Sequence, residues 1–179
     1  MNGKPLVHLN DFMDDAPWDG DVNPLEPFTI PDQIAGVRLA RLASHGDDRG
    51  ELTVLHTRQG SEPVLVPHVY LVWARPKSIR AWVYHKRQDD RLAYPSGAFR
   101  VVLYDIRPGS STYGQLNILE VGASNPVQLV IPAFVVHGVM NLDDKPGFFL
   151  NMPSNAYDRS MPDKSRLPWD HPGIPYRFA

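Results

Sequence analysis

Cysteine is absent from the 179-residue chain, which excludes disulfides, a thiol nucleophile and a thiolate metal site. No apolar run approaches the ~20 residues that a membrane-spanning helix needs. An excess of either charge is lacking as well: the net charge is -2 and no basic face stands out, so nucleic acid is not an expected partner. The first thirty residues lack a basic start followed by an apolar run, unlike a secretory signal. A cytoplasmic location is therefore the expectation. Histidine, carboxylates, tyrosine, arginine, lysine and the backbone remain for any chemistry.

Proline and glycine are plentiful, 18 and 13 residues, and fall between short apolar runs. Proline removes a backbone donor and interrupts helices, so the pattern predicts short strands joined by turns, a sandwich or barrel. Strands are expected in Glu51 to Thr57, the run ending in VYLVWA, Ile79 to His85, Ala98 to Arg107, QLNILEVG, VQLVIP, VVHGVMNL and FFLNMP, while Val37 to Leu42, in GVRLARL, is compatible with a strand or with one helical turn. His45 to Gly50, HGDDRG, reads as a turn, because Asp and Gly tolerate tight-turn angles. Residues 1–36 are expected to form an extended arm and 37–179 a single domain. The proline-rich end of the chain is expected as coil or a helical turn packed outside through Trp169, Tyr176 and Phe178.

Alternate side chains of a strand share a face. Ile79, Ala81, Val83 and His85 should therefore point one way, and so should Val135, His137, Val139 and Asn141. Each run offers one imidazole on a mostly apolar face, the arrangement of a polar site inside an apolar barrel mouth. The spacing is similar to that of cupin metal sites: His85, Asp90, Gly97, Pro132, His137 and Asn141 fall at matching offsets, with Val83 at the first ligand position. Two imidazoles and a carboxylate suffice for a divalent transition metal. Against this, Asp90 could merely solvate a turn beside Asp89. Without metal, His85 and His137 are the paired candidates for acid-base work near neutral pH, and Arg49 and Arg80 could clamp phosphate through their planar forks.

The ordered pieces DDRG (47–50), IRAW (79–82), SGAFRVVLYDIRPGSSTYG (96–114), IPAFVVHG (131–138), FLNMPSNAY (149–157) and RLPWDHPGIPY near the end resemble the dTDP-4-dehydrorhamnose 3,5-epimerase family. The resemblance implies an all-β cupin, a jelly-roll double-stranded β-helix barrel, with a homodimer and a nucleotide-sugar pocket. It implies phosphate contacts from Arg49 and Arg80 and likens His137 to the family's second pocket histidine, without a cofactor; Asn151 and Tyr157 are expected as further substrate contacts, and His85, two residues past the family's position, is expected beside His137 at the sugar as a displaced base. The match places Val83 where the family has its catalytic base and Asn151 where it has its acid tyrosine. The family's supporting aspartate finds no match. Three functions are thus expected in turn: an epimerase or isomerase acting on a dTDP-4-keto-6-deoxyhexose, a non-catalytic sugar-nucleotide-binding cupin, or a metal-dependent cupin using His85, Asp90 and His137.

Overall fold

The computed structural model describes residues 9–11, 13–14, 25–57 and 66–179. A six-stranded sheet is built from β1 (Leu25–Phe28), β2 (Arg38–Leu42), β5 (Tyr70–Ala74), β7 (Asp90–Tyr94), β10 (Val127–Ile131) and β12 (Gly147–Asn151), in the order β1-β2-β10-β7-β12-β5. A five-stranded sheet contains β6 (Ile79–His85), β8 (Ala98–Asp105), β9 (Leu116–Gly122), β11 (Val135–Asn141) and β13 (Lys164–Arg166), in the order β13-β6-β11-β8-β9. A hairpin of β3 (Ser44–Asp47) and β4 (Gly50–Thr53) stands apart. The ladders between these strands are antiparallel, and the architecture is the cupin jelly roll. No helix among the described residues is long and apolar enough to cross a membrane.

Alternation sorts the side chains into layers. Leu39, Leu92, Tyr94, Leu129, Ile131 and Phe149 of the six-stranded sheet meet Phe99, Val101, Leu103, Leu119, Val121 and Val135 of the other sheet in the main core. The intervening positions are buried too. Trp82, Val102, Val136 and Met140 pack against Ile174 and Phe178 from the chain's end, while Leu25, Leu42, Ala93 and Met152 form a third cluster. Strands covered on both faces lose the polar half of the alternation, which is why β10 is buried at every position.

Several expectations change. HGDDRG does not form a turn alone, because four of its residues pair within the β3–β4 hairpin. The predicted strand at Glu51 to Thr57 ends at Thr53. Asp90–Tyr94, passed over as a connection, is a central strand; its burial on both faces hides the period-2 signal. The chain's end is not only an outer packing segment. Lys164–Arg166 pairs with β6 in the register Lys164↔His85 and Arg166↔Val83. Phe178 is buried there, while Trp169 stays exposed and accepts a hydrogen bond from the Trp82 indole at its carbonyl. Of the expected N-terminal arm, residues 25–28 pair with β2 as an edge strand, and most of the remainder lies outside the described residues.

Two close approaches hold the frame. At Gly138 an added Cβ would lie 2.5 Å from the Ala81 Cβ and 3.0 Å from the Trp82 ring, so only glycine lets β11 sit this near β6. The β6–β11 register shifts between His137 and Val139 at the same place. At the far end of β8, the fully buried Asp105 carboxylate accepts hydrogen bonds from the Arg107 backbone (3.0 Å), Nε (2.8 Å) and Nη2 (2.8 Å), and from Ser110 and Thr112 (2.7 Å each). Burial pushes its carboxyl up, but these donors outweigh burial and hold it below the ordinary carboxylate range.

Removing one partner of such a pair strands the other. Asp105→Ala is expected to lower unfolding stability by about 3–5 kcal/mol, measured by urea denaturation. A carboxyl held low when folded contributes stability above its unfolded pKa of about 4 and loses it as pH falls below that. The wild type should therefore lose stability more steeply than the variant below about pH 4.

Candidate functional site

His85 ends β6 and His137 sits near the start of β11, two neighbouring strands of one sheet, so their rings face each other at 6.2 Å between centroids and 23° between planes. Asp90 opens β7 in the opposite sheet and reaches across the gap. Its Oδ2 lies 3.3 Å from His85 Nε2 and 3.3 Å from His137 Nε2, while its Oδ1 accepts a 2.9 Å hydrogen bond from Gln88 Nε2. All three groups are buried, at 6%, 3% and 8% exposure for His85, Asp90 and His137. Burial pushes the Asp90 carboxyl up, yet the two imidazoles beside it prevail and hold it well below the ordinary range.

The two histidines are tied differently. His137 Nδ1 is 3.1 Å from the Val135 carbonyl oxygen; a carbonyl only accepts, so Nδ1 carries the hydrogen and Nε2 is the nitrogen presented to Asp90. His85 has Asp163 Oδ2 3.6 Å from its Nδ1. Neither of its ring nitrogens is aligned for a hydrogen bond, so its contacts with both carboxylates are electrostatic. Asp163 is fixed by the backbone amides of Arg87 (3.2 Å) and Gln88 (3.1 Å) and by Arg87 Nε (3.2 Å).

Asp90 and His137 line a cavity of about 310 Å³ between the sheets, with Val83, Tyr94, Phe149 and Asn151 among its walls. A second space of about 510 Å³ adjoins it and touches His85, Asp163 and Tyr157; Tyr70, Lys164 and Arg166 border both. Arg80, Lys164 and Arg166 make the rim cationic. Burial lowers the Lys164 ammonium pKa, Asp90 opposes that, and Arg166 and Arg80 add to the lowering. Asn151 donates from Nδ2 to the Tyr70 hydroxyl (2.8 Å), and its buried Oδ1 has no partner.

The structure thus brings together His85, Asp90, His137, Arg80 and Asn151, and places Tyr157 at the exposed edge of the second space. Arg49 does not join them within one chain: its exposed side chain pairs with Asp47 on the β3–β4 hairpin. Asn141, at a cupin-like offset, is no ligand. Its side chain donates to the carbonyls of Ala74, Arg75 and Lys145. Asp90 is a buried strand residue, not the solvated turn weighed as its alternative. Sequence reasoning missed Tyr70, Gln88, Asp163, Lys164 and Arg166. The KSR strand is too short to carry a period, but its Lys-x-Arg spacing, which sets both cations on one strand face, was a usable signal.

Comparison with known proteins identifies the family and agrees with the fold. The family described as dTDP-4-dehydrorhamnose 3,5-epimerase matches residues 31–176. The spore coat polysaccharide biosynthesis protein SpsL of Bacillus subtilis is 35% identical over 147 residues, 81% of this chain and 96% of that protein. The probable low-salt glycan biosynthesis epimerase Agl13 of Haloferax volcanii is 33% identical over 139 residues, covering 76% of this chain and 89% of its own length. Among solved structures, a dTDP sugar isomerase from Desulfovibrio desulfuricans G20 superposes with a TM-score of 0.74 at 26% identity, covering 80% of this chain and 90% of that one. With the match spanning most of the barrel and both strands that carry the histidines, the chain belongs to the dTDP-4-dehydrorhamnose 3,5-epimerase family.

Proposed function

We propose that the protein is an epimerase or isomerase of nucleotide-sugar biosynthesis, acting on a dTDP-4-keto-6-deoxyhexose in the cavity between the sheets. One observation carries the reading: a buried carboxylate held between two imidazoles at the wall of a cavity whose rim is cationic. A keto group acidifies the carbon next to it, and the enzyme must take that proton in a water-poor site. His137 with Asp90 is the pair in position. As the proton arrives, the imidazolium forms against a carboxylate already fixed by Gln88. His85 acts from behind, through the same carboxylate oxygen. The sugar's diphosphate belongs at Arg80, Lys164 and Arg166, where charged donors match phosphate oxygens. The family resemblance extends the reading to a cytoplasmic homodimer, in which Arg49 on its exposed hairpin would serve the diphosphate from another copy.

The test is solvent deuterium exchange into a dTDP-4-keto-6-deoxyhexose. The wild type should wash label into the carbon beside the keto group, and Asp90→Asn should slow this by about 10²–10⁴-fold, the usual scale of acid-base catalysis. Binding without exchange in the wild type would overturn the enzyme reading and leave a sugar-nucleotide-binding cupin. Arg166→Met should weaken dTDP binding by about ten- to a hundredfold, from the ~1.5–3 kcal/mol of a charged hydrogen bond, read by calorimetry.

A second reading has its own support. His85, Asp90 and His137 each offer a ligand atom, all within 4.8 Å of one another. The two 3.3 Å nitrogen-oxygen edges match the ~3.0–3.4 Å edges that bonds of about 2.1 Å impose at octahedral or tetrahedral angles. Such a metal would polarise the sugar's carbonyl. Elemental analysis of purified protein separates the readings: near one equivalent of a transition metal, lost in His85→Ala, favours the metal, and less than a tenth of an equivalent removes it.

A further inference from the structure

Inversion at carbon needs two groups, one to take the proton and another to return one to the opposite face. His137 occupies the wall made by the five-stranded sheet, and Asp90 reaches it from across the gap. The returning group must then stand on the facing wall, line the cavity, and keep a proton not already committed to the protein. We infer that Tyr70, on β5 of the six-stranded sheet, is the proton donor to the face of the sugar opposite His137. This inference rests on the epimerase reading above.

Four observations carry it. Tyr70 borders both the main cavity and the adjoining space, so the residue stands where the two meet. It is opposite Asn151 in the β5–β12 ladder, and the asparagine amide donates to the phenol oxygen at 2.8 Å. That bond uses an oxygen lone pair and leaves the hydroxyl hydrogen without an acceptor among the described residues. Asn151 Oδ1, 2% exposed as part of its residue and unpartnered, also lines the cavity. It is an acceptor waiting for a ligand hydroxyl beside the donor.

A second phenol, Tyr94, is fully buried with its hydroxyl unpartnered and also lines the cavity, and the surroundings separate it from the half-buried Tyr70. Donating a proton leaves a phenolate, which must be stabilised. At Tyr70 burial and Asp90 prevail and hold the phenol above its ordinary range, but the Asn151 amide and the Arg80 charge counter them and favour the phenolate. At Tyr94 burial and Asp90 both oppose it, and the ring is wedged against Phe99 and Phe149. Tyr94 is a wall; Tyr70 is placed to give up a proton.

The step balances. The His137 and Asp90 pair removes H⁺ from the carbon next to the carbonyl, the C–H electrons form a C=C bond, and the carbonyl oxygen becomes an enolate oxygen. The enolate re-forms the carbonyl as the carbon takes H⁺ from Tyr70 on the other face. A phenolate and a protonated His137 pair remain, and exchange with water resets both. No oxidant or reductant is involved.

Tyr70→Phe removes one oxygen. In D₂O with a dTDP-4-keto-6-deoxyhexose, the variant should still exchange the substrate proton through His137 but invert the carbon about a hundredfold more slowly, from the usual 10²–10⁴-fold worth of a positioned acid. The ratio of exchange to inversion, followed by NMR, should rise at least tenfold, with dTDP affinity within a factor of two of wild type. A smaller rise, including a parallel fall of both rates as a packing defect would give, overturns the assignment. Absence of exchange in the wild type instead overturns the epimerase reading. Should Tyr70→Phe fail to fold, Asn151→Ala keeps the phenol but removes its amide donor: a rise above threefold in the same ratio supports the assignment, and a smaller one overturns it.

Discussion

One carboxylate joins the two sheets at the point where chemistry is available. Asp90 belongs to the six-stranded sheet and both imidazoles belong to the five-stranded one. An ionised group this deep would be costly alone, since burial without partners disfavours charge strongly. Its two imidazole neighbours and the Gln88 amide offset that cost. The spacing of the sheets, the positions of both rings and the polarity of the cavity's inner end are therefore one problem with one solution. Removing the charge would affect all three together.

The frame serves that solution. Gly138 lets β11 approach β6 closely, which sets the distance between the strands that bear the histidines. The aromatic group of Tyr94, Phe99 and Phe149 packs beside the cavity with tilted and edge-on contacts. The wall there is apolar, so the polar groups that remain, Asn151, Tyr70, Asp90 and His137, act beside a low-dielectric surface where each charge counts for more.

Much of this was legible in the residues. The period-2 runs around His85 and His137 specify both strands and the facing of their imidazoles, and the offset from His85 to Asp90 flags the carboxylate. Three kinds of information were not there. A strand buried on both faces, such as β7, carries no alternation. A three-residue strand such as β13 carries no period at all, so Lys164 and Arg166 read as coil. Cross-strand partnership is invisible in one dimension: Asn151 and Tyr70 are far apart in sequence, and only the ladder makes an asparagine and a phenol act as a unit. Arg49 shows the converse, a motif residue whose neighbours in the folded chain are local ones.

The closing stretch of the chain does two jobs at once. Leu167 exchanges backbone hydrogen bonds with Trp82 in both directions at 3.0 Å, Ile174 and Phe178 cover that indole, and the same segment delivers Asp163, Lys164 and Arg166 to the cavity. Because residues 163–178 follow β1 to β12 in the chain, those twelve strands are synthesised before Lys164 and Arg166 can complete the cationic rim that Arg80 begins. A growing chain can thus collapse around its apolar interior with one cation of the three in place, and the full grip on an anion comes only when this segment docks.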